Sequence, residues 1–537
     1  MTSTPERPRI SSLRDLLTHA AQAQPDAIAV VGLRSDGSSP IQLTYAELDD
    51  LASRFAVGLE RQGVGPGDVV AVMLPNRPEF TALAFAINQV GATYTGIPVA
   101  YGPGEVEAIL RISRARAVVA VDRFRGSSPA SIVRELRSQL PDLQSVVVAE
   151  PDAALAGTDV TLEELSRSAG SVVGNPPAFD EVCHLGFTSG TTGPPKGVMN
   201  SCRSLLSVMS GLTVHLGRPT FGEPMVNLVG SPMGHHTGYL WGILLSTWHG
   251  ATAVLLDQWQ PARAAGVIEE YGVTVMFGAP TFLQDLMALP SAAGPTRFVM
   301  AGAPVPRHLP GQAATQLGTQ VLPAWGMTEY GIGIACPPWA DPYVYTTDGL
   351  PVPGCEVRVV GDDDEVLPVG RTGELQIRGT GLFHGYLDRP DANEESFVDG
   401  WFRTGDTASI DGIGCVSLQG RIKDIIIRGG ENIPVSVVED ALALHPLLDA
   451  ATVVATPDER LGERACAVIV PLTSVIPSFE ELSEFLLAKG VSKHFLPERL
   501  VVMDALPMTP SGKIKKAELR SLVPTYLGDS RVADARH

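Results

Sequence analysis

The stretch TSGTTGPPKGVM, Thr188 to Met199, decides how the rest of the chain is read. Four hydroxyl residues, Thr188, Ser189, Thr191 and Thr192, are interleaved with glycines such as Gly190 ahead of a single lysine, Lys196. Glycine lets backbone N–H groups approach a ligand closely and adopt positive φ. Clustered N–H groups form a nest for an anion. The hydroxyls add donors and Lys196 adds a mobile positive charge. The preceding EVCHLGF reads as a strand. Strand, donor-rich loop and lysine together point to a polyphosphate cradle. It is not a P-loop of the Gly-x-x-x-x-Gly-Lys-Ser/Thr kind, because Pro195 precedes Lys196. Nor is it a nucleophile elbow, since no Gly-x-Ser-x-Gly surrounds Ser189.

The chain around this loop has 537 residues, enough for several domains or subdomains with ample core. Hydrophobic residues make up 44% and charged residues 18%, the balance of a globular protein in water. A formal net charge of −19 argues against a nucleic-acid surface, which needs a basic face. An anionic ligand would need local donors and cations, which the loop supplies. The six cysteines are scattered without a Cys-x-x-Cys, so buried thiols in a reducing cytoplasm are expected rather than disulfides or zinc. The first residues, MTSTPERPRISSLRDLL, hold no apolar run of signal-peptide type. The most apolar stretches are broken by polar residues and glycine, so no membrane span is expected and the location reads as cytoplasmic.

The first part of the chain alternates short apolar runs with amphipathic helices. In TYAELDDLASRFAVGLERQ, Leu48, Leu51, Ala52, Phe55 and Leu59 share one helical stripe. Strand candidates include VVAVML, AVVAV, SVVVA, VNLVGS, TAVLL, VTVMF and RFVMA. Strands alternating with helices imply an α/β fold of largely parallel sheets with covered faces. The texture changes near Gly420 to Asp424. Beyond it, RIKDIIIRGGENIP leads into a helix (VSVVEDALALH), two strands, a second helix (FEELSEFLLAK) and a last strand (ERLVVMD), a small α/β unit with its own core. The final GDSRVADARH reads as a frayed tail, and the acidic run Asp362 to Glu365 as a solvated turn.

Further motifs follow in order: LTYAELDDLA, SPMGHHTG from Ser231, AGAPVP from Ala301, AWGMTE from Ala324, GELQIRG, WFRTGD from Trp401, GRIKDIIIRGGENI from Gly420 and PMTPSGKIKK from Pro507. Together with the opening loop, they resemble the signature set of the adenylate-forming superfamily of acyl-CoA synthetases, peptide-synthetase adenylation domains and luciferases. The matches span nearly the whole chain. The resemblance implies a large N-terminal adenylation domain, residues 1–422, built as a five-layer αβαβα core plus a β subdomain. A small mobile α+β lid, residues 423–537, would follow it. It also implies ATP and Mg²⁺, with CoA as the expected thiol.

The resemblance further implies roles. Thr188, Ser189, Gly190, Thr191, Thr192 and Lys196 would hold the outer phosphates. Thr328 would contact the α-phosphate and Glu329 would help hold Mg²⁺, a hard cation that keeps few protein carboxylates. Gly302, Ala303 and Pro304 would lie against adenine, with Trp325, Gly326 and Met327 beside the nucleotide. Asp406 would accept both ribose hydroxyls, and Arg421 would reach the ribose or phosphate. Lys513 matches a catalytic lysine carried by the lid. His235 would stand between the acid pocket and the thiol path, with His236 an extra neighbour too poorly supported by third ligands to suggest a metal. Lys423 matches a hinge, and Gly429, Gly430, Glu431 and Asn432 would line a CoA tunnel once the lid turns. The acid pocket would draw on His235, His236, Tyr239, Trp241, Ala301, Ala324, Tyr330 and Gly331.

SPMGHHTGYLWG and RGGENIPVSVVE look closest to medium-chain and cyclic-acid CoA ligases, implying a medium aliphatic, alicyclic or aryl acid. No residue in the SPMGHH region matches the aspartate with which amino-acid-activating domains pair an α-amino group. Two other functions stay open. One is an adenylate-former with a non-CoA acceptor, either a carrier protein or nitrite activated to diazotise an aryl amine. The other is a non-catalytic nucleotide-binding paralogue, against which the retained Lys513 and Glu329 argue. The motifs leave the oligomeric state open.

Overall fold

The computed structural model describes residues 10–152, 159–188, 195–424, 426–428, 431–433, 435–458, 460–508, 514–527 and 533–534. Among these, the strands form four sheets. A seven-stranded sheet runs from Val160–Thr161 through Ser145–Ala149, Ala117–Val121, Val69–Met73, Thr93–Gly96 and Val182–Thr188 to Lys196–Ser201. All its pairings are parallel except the last, where Val182–Thr188 and Lys196–Ser201 form a hairpin with Thr188 opposite Lys196. A nine-stranded sheet has a parallel centre of Gln320–Met327, Arg297–Met300, Val275–Gly278, Val226–Val229, Thr252–Leu256 and Ile28–Leu33. Antiparallel strands flank that centre. Every strand expected from the apolar runs of the N-terminal part is present.

Helices cover both faces of both sheets, as parallel sheets require. The helices Leu13–Ala23, Tyr45–Arg61, Pro78–Gln89 and Cys202–Leu216 lie between the sheets, where their buried stripes merge with strands from each in one core. Pro103–Ser113 and Pro129–Leu136 cover the outer face of the seven-stranded sheet. Pro261–Tyr271, Pro280–Met287 and Leu309–Leu317 cover the outer face of the nine-stranded one. The result is the αβαβα stack. The helix Tyr45–Arg61 shows how the sequence sets it: Thr44 and Glu47 form a capping box, and the expected stripe, Leu48 to Leu59, is buried. A five-stranded antiparallel sheet, including Cys355–Val360, Gly373–Gly379, Trp401–Ile410 and Val416–Arg421, forms the β subdomain.

Sheet membership changes between Arg421 and Ile426. The following strands, Ile426–Arg428, Glu431–Ile433, Leu448–Asp458, Gly462–Pro471 and Arg499–Val502, make a smaller sheet with its own apolar clusters. Two expectations need correcting. Ala533–Asp534, within the supposed frayed tail, pairs antiparallel with Arg499–Val502, because that strand offers an unpaired edge. The acidic turn is also less idle than expected. Asp364 takes a left-handed conformation (φ 60°), contacts Arg403 and accepts from Gln376. The six cysteines are buried thiols. No helix among the described residues is long and apolar enough to cross a membrane.

The small unit meets the large one along helix Val435–Leu442. Ser436 Oγ donates to Gln419 O at 2.7 Å. Asp440 enters the same seam. Burial pushes its carboxyl up to about 6, Arg307 opposes that, and Glu439 and Asp348 add to it. The raised value means the charged form is disfavoured in the folded protein. Stability from this group is full below the unfolded pKa of 3.8 and is lost as pH rises through about 6. Asp440→Asn is therefore expected to raise stability by on the order of 2 kcal/mol at pH 8 and little at pH 4, read as the shift in urea midpoint at the two pH values.

Candidate active site

The carboxyl ends of the central strands of both sheets open on one crevice, the usual ligand position in α/β folds. Thr188 ends one such strand, and Ala301 and Gly302 directly follow Met300. Gly302 has φ 91°, a conformation suited to glycine, and nothing lies within 4 Å of where its Cβ would be. That turn therefore presents open backbone to the crevice.

Across the hairpin, Lys196 Nζ sits 4.5 Å over the ring of Tyr386. The Tyr386 hydroxyl donates to Glu329 Oε1 at 2.9 Å. Glu329 is buried, and burial raises its carboxyl above the ordinary range; the Tyr386 hydrogen bond, its own backbone, Arg421 and Lys196 pull the other way. Tyr386 is itself pushed up, first by burial and then by the Glu329 charge. Sequence reasoning missed Tyr386. Its signal was present in GLFHGYLD, directly after the recognised GELQIRG run, but the tyrosine alone carried no chemistry.

A second group surrounds Asp406, also buried. Trp325 Nε1 donates to Asp406 Oδ2 at 2.9 Å, and Arg421 Nε lies 2.9 Å from Oδ1. Asp406 and Arg421 face each other across paired antiparallel strands, so backbone register sets their meeting. A carboxylate oxygen has lone pairs for more than one donor, so this bracing leaves capacity for a ligand hydroxyl.

Next to these groups in sequence, Gly326 to Thr328 line one part of an open pocket, with Ala301 and Gly302. His235, His236 and Trp241 line another. Thr328 is half-buried, and its methyl lies 2.7 Å from where a Cβ on Gly186 would sit, so only glycine fits at 186 without a shift. On the far side of the two histidines is a second, narrow cavity, lined by Tyr94, Tyr101, His184, Phe187 and Tyr239 among others. His235 and His236 thus form a partition shared by both cavities. Burial, then His235, holds His236 neutral, with its pKa lowered to about 3. Its Nδ1 is buried with no hydrogen-bond partner, as is the Tyr239 hydroxyl. Tyr239 stacks on His184 at 4.6 Å and on Tyr94 at 4.5 Å.

The expected acid-pocket set is split by this geometry. His235, His236, Trp241, Ala301 and Gly331 line the larger pocket, which also takes in Phe277, Val299 and Ile332, missed earlier. Tyr239 instead lines the second cavity. The cause is local: Gly238–Leu244 is helical, here a π-helix, and residues two apart on a helical turn project to roughly opposite sides. Ala324 is buried inside its strand, and Tyr330 turns away to donate to Gly354 O at 2.8 Å; neither is in the pocket lining. Ala303 is half-buried and Pro304 exposed beside Gly302. Trp325 is buried and meets Asp406 through its indole N–H.

Lys423 is exposed in the short 3₁₀ turn Ile422–Asp424. Arg520 holds that turn, donating to Lys423 O at 3.2 Å and contacting Asp424. Ser189, Gly190, Thr191, Thr192, Gly429, Gly430 and Lys513 lie outside the described residues, as do the side chains of Glu431 and Asn432. Among the described residues no three His, Cys, Asp or Glu side chains gather as a metal cluster. Glu329 is a lone hard-oxygen donor, which fits an ion held chiefly by ligand oxygens.

The crevice, its two buried carboxylates and Lys196 fit an AMP-forming acid–thiol ligase, and the sequence comparisons show that class. The sequence matches the AMP-binding enzyme family over residues 17–387 and the AMP-binding enzyme C-terminal domain over residues 437–513, so the chain belongs to that family. It is 34% identical over 524 residues to a medium-chain fatty-acid–CoA ligase of Escherichia coli K12, covering 95% of this chain and 90% of that one. It is also 34% identical over 532 residues to a salicyl-AMP ligase/salicyl-S-ArCP synthetase of Mycobacterium tuberculosis, covering 95% and 91%. Among solved structures, o-succinylbenzoate CoA synthetase from Bacillus subtilis in complex with its acyl-adenylate matches with a TM-score of 0.80 at 25% identity, covering 94% of this chain and 97% of that one.

Tyr386→Phe deletes the hydroxyl that donates to a buried carboxylate. The expected cost is about 1–3 kcal/mol, measured by urea denaturation. In a double-mutant cycle with Glu329→Gln, the two losses are expected not to add.

Proposed function

We propose that this protein activates a carboxylic acid of medium aliphatic, alicyclic or aryl type as its acyl-adenylate, then passes the acyl group to the thiol of CoA. The observation that carries this reading is the partition: one pocket runs from Thr328 to Trp241, and a second cavity reaches the same two histidines from the other side.

In the first step the substrate carboxylate oxygen attacks the α-phosphorus of ATP. The bond to the bridging oxygen breaks, and pyrophosphate leaves. An anion attacks an anion, so the chain's task is positioning and charge compensation. Lys196 and the hydroxyls of Thr188, Ser189, Thr191 and Thr192, with the backbone at Gly190, hold the outer phosphates. Thr328 meets the α-phosphate. Asp406, braced by Trp325 and Arg421, accepts the ribose hydroxyls. Gly302, Ala303 and Pro304 flank the base. Glu329 would hold Mg²⁺, which when bound neutralises phosphate charge. Lys513 is delivered by the lid to the reacting oxygens.

In the second step the thiol sulfur attacks the acyl carbonyl carbon, AMP leaves with its oxygen, and the thiol proton is released. His235 stands where sulfur and carbonyl would meet. The boundary falls at 422/423, and Lys423 is the hinge: turning there withdraws Lys513 and brings Gly429 to Asn432 to the thiol path. A carrier-protein thiol is the second acceptor considered, favoured by the relative whose name includes a carrier-bound product.

Lys513→Ala is expected to reduce pyrophosphate release at least 100-fold while thioester formation from pre-formed adenylate falls less than tenfold. Equal loss in both half-reactions removes the lysine from the first step. Lys423→Pro is expected to give the reverse, sparing adenylation and slowing thioesterification at least tenfold. Pyrophosphate release that needs an acid, with AMP and thioester formed only when CoA is present, tests the reaction itself.

A further inference from the structure

The larger pocket bears on which acid is taken, an inference resting on the adenylating reading above. Its inner wall is aromatic. Trp241 and Phe277 are stacked with centroids 5.3 Å apart and planes within 10°. Behind Phe277, the ring of Phe221 stacks at 6.5 Å and is fully buried. Three rings therefore stand in series from the pocket wall into the core. The wall is also anchored: Asn227, itself buried, donates from Nδ2 to Trp241 O at 2.8 Å and to Ser246 Oγ at 3.0 Å.

Gly278, Gly302, Gly326 and Gly331 contribute backbone without side chains to the lining, while Val299 and Ile332 supply aliphatic surface. At Gly326 a Cβ would fall 2.2 Å from Gly331 O, and at Gly278 a Cβ would fall 2.7 Å from Phe282, so both positions are held side-chain-free by packing. Among the described residues the lining contains no Asp, Glu, Lys or Arg. His236 is kept neutral, so it offers no cation either. A second carboxylate or an ammonium on the acyl group would be buried there without a counter-charge, which is costly.

We propose that the pocket takes a compact, uncharged ring acid, a single six-membered ring close to the carboxylate, in preference to linear chains, dicarboxylates and amino acids. The ring rests against the Trp241–Phe277 wall. A rigid ring loses little conformational freedom on binding, whereas an alkyl chain must be immobilised to lie against the same wall. Aromatic and saturated rings share this chemistry, and the test separates them.

The full-length enzyme with ATP, Mg²⁺ and CoA is assayed for pyrophosphate release with benzoate, cyclohexanecarboxylate, octanoate, adipate and alanine. The expected result is a kcat/KM for at least one ring acid tenfold or more above octanoate and 100-fold or more above adipate and alanine. The better of the two ring acids identifies the ring type. Octanoate equal to or better than both ring acids, or adipate or alanine turned over comparably, overturns the proposal while leaving the adenylating function intact. Silence with every acid overturns both. Trp241→Ala supplies a second readout: it is expected to improve octanoate relative to the preferred ring acid at least tenfold, with the KM for ATP within twofold of the parent. A ratio that does not move places the acyl group elsewhere and overturns the proposal, and the wild-type panel stands if the variant fails to fold.

Discussion

A carboxylate taken out of water must be compensated, and Glu329 is the buried carboxylate around which the crevice is organised. One hydrogen bond from Tyr386 meets it directly, and that tyrosine's ring carries Lys196 on its face. The contacts join three remote segments: the hairpin after Thr188, the turn after Met327 and the stretch after Gly379. Burial nevertheless raises the carboxyl's pKa, against the pull of Tyr386, Arg421 and Lys196. A buried oxygen donor of this kind gains from a bound cation more than a solvated one would. The second braced carboxylate, Asp406, differs in kind. Its two oxygens have neutral and cationic partners supplied by paired strands and an indole, so it is rigid before any ligand arrives.

The sheet topology explains why these groups face one another. Each parallel sheet ends its strands on the same side, where the chain must turn into a loop and its last N–H groups are free for other partners. Two such sheets packed through shared helices place two sets of strand ends about one crevice. The π-helix Gly238–Leu244 then divides the space behind it. Tyr239 and Trp241, two apart on this helical segment, project to different sides, giving one cavity a polar, stacked wall of Tyr94, Tyr239 and His184 and the other an apolar aromatic one. π-helical turns are uncommon and concentrate at functional sites. Here the turn provides two chemically distinct compartments from a single segment.

What was legible in the sequence followed from period and spacing. Val69–Met73, Ala117–Val121 and Ser145–Ala149 read as strands because their apolar runs are continuous, and the stripe from Leu48 to Leu59 read as a helix because its period is 3.6. The partnership of Asp406 with Arg421 was not legible, because it depends on register between two strands rather than on either motif. Tyr386 was invisible for a similar reason: its function is a contact with a residue more than fifty positions away. Tyr239 and Trp241 were assigned to one pocket because one motif carries both, and the motif does not show that they project from opposite sides of a helical turn. The strand Ala533–Asp534 depended on an open sheet edge, a property of the folded partner alone.

The seam between the two units is polar. Apolar burial would lock the units together, but among the described residues Ser436, Asp440, Arg307 and Asp348 meet here through a side-chain hydrogen bond and charges that partly oppose each other. Arg307 already donates to Asp348 and to Thr347 O, so Asp440 meets a cation whose charge is shared. Polar seams of this kind cost little to separate, because water replaces what is lost. By contrast, Arg520 ties the 3₁₀ turn Ile422–Asp424 to the small unit's own last long helix. Rotation that preserved this clasp would concentrate the backbone change on the residues between Arg421 and Lys423, the place where sheet membership already changes.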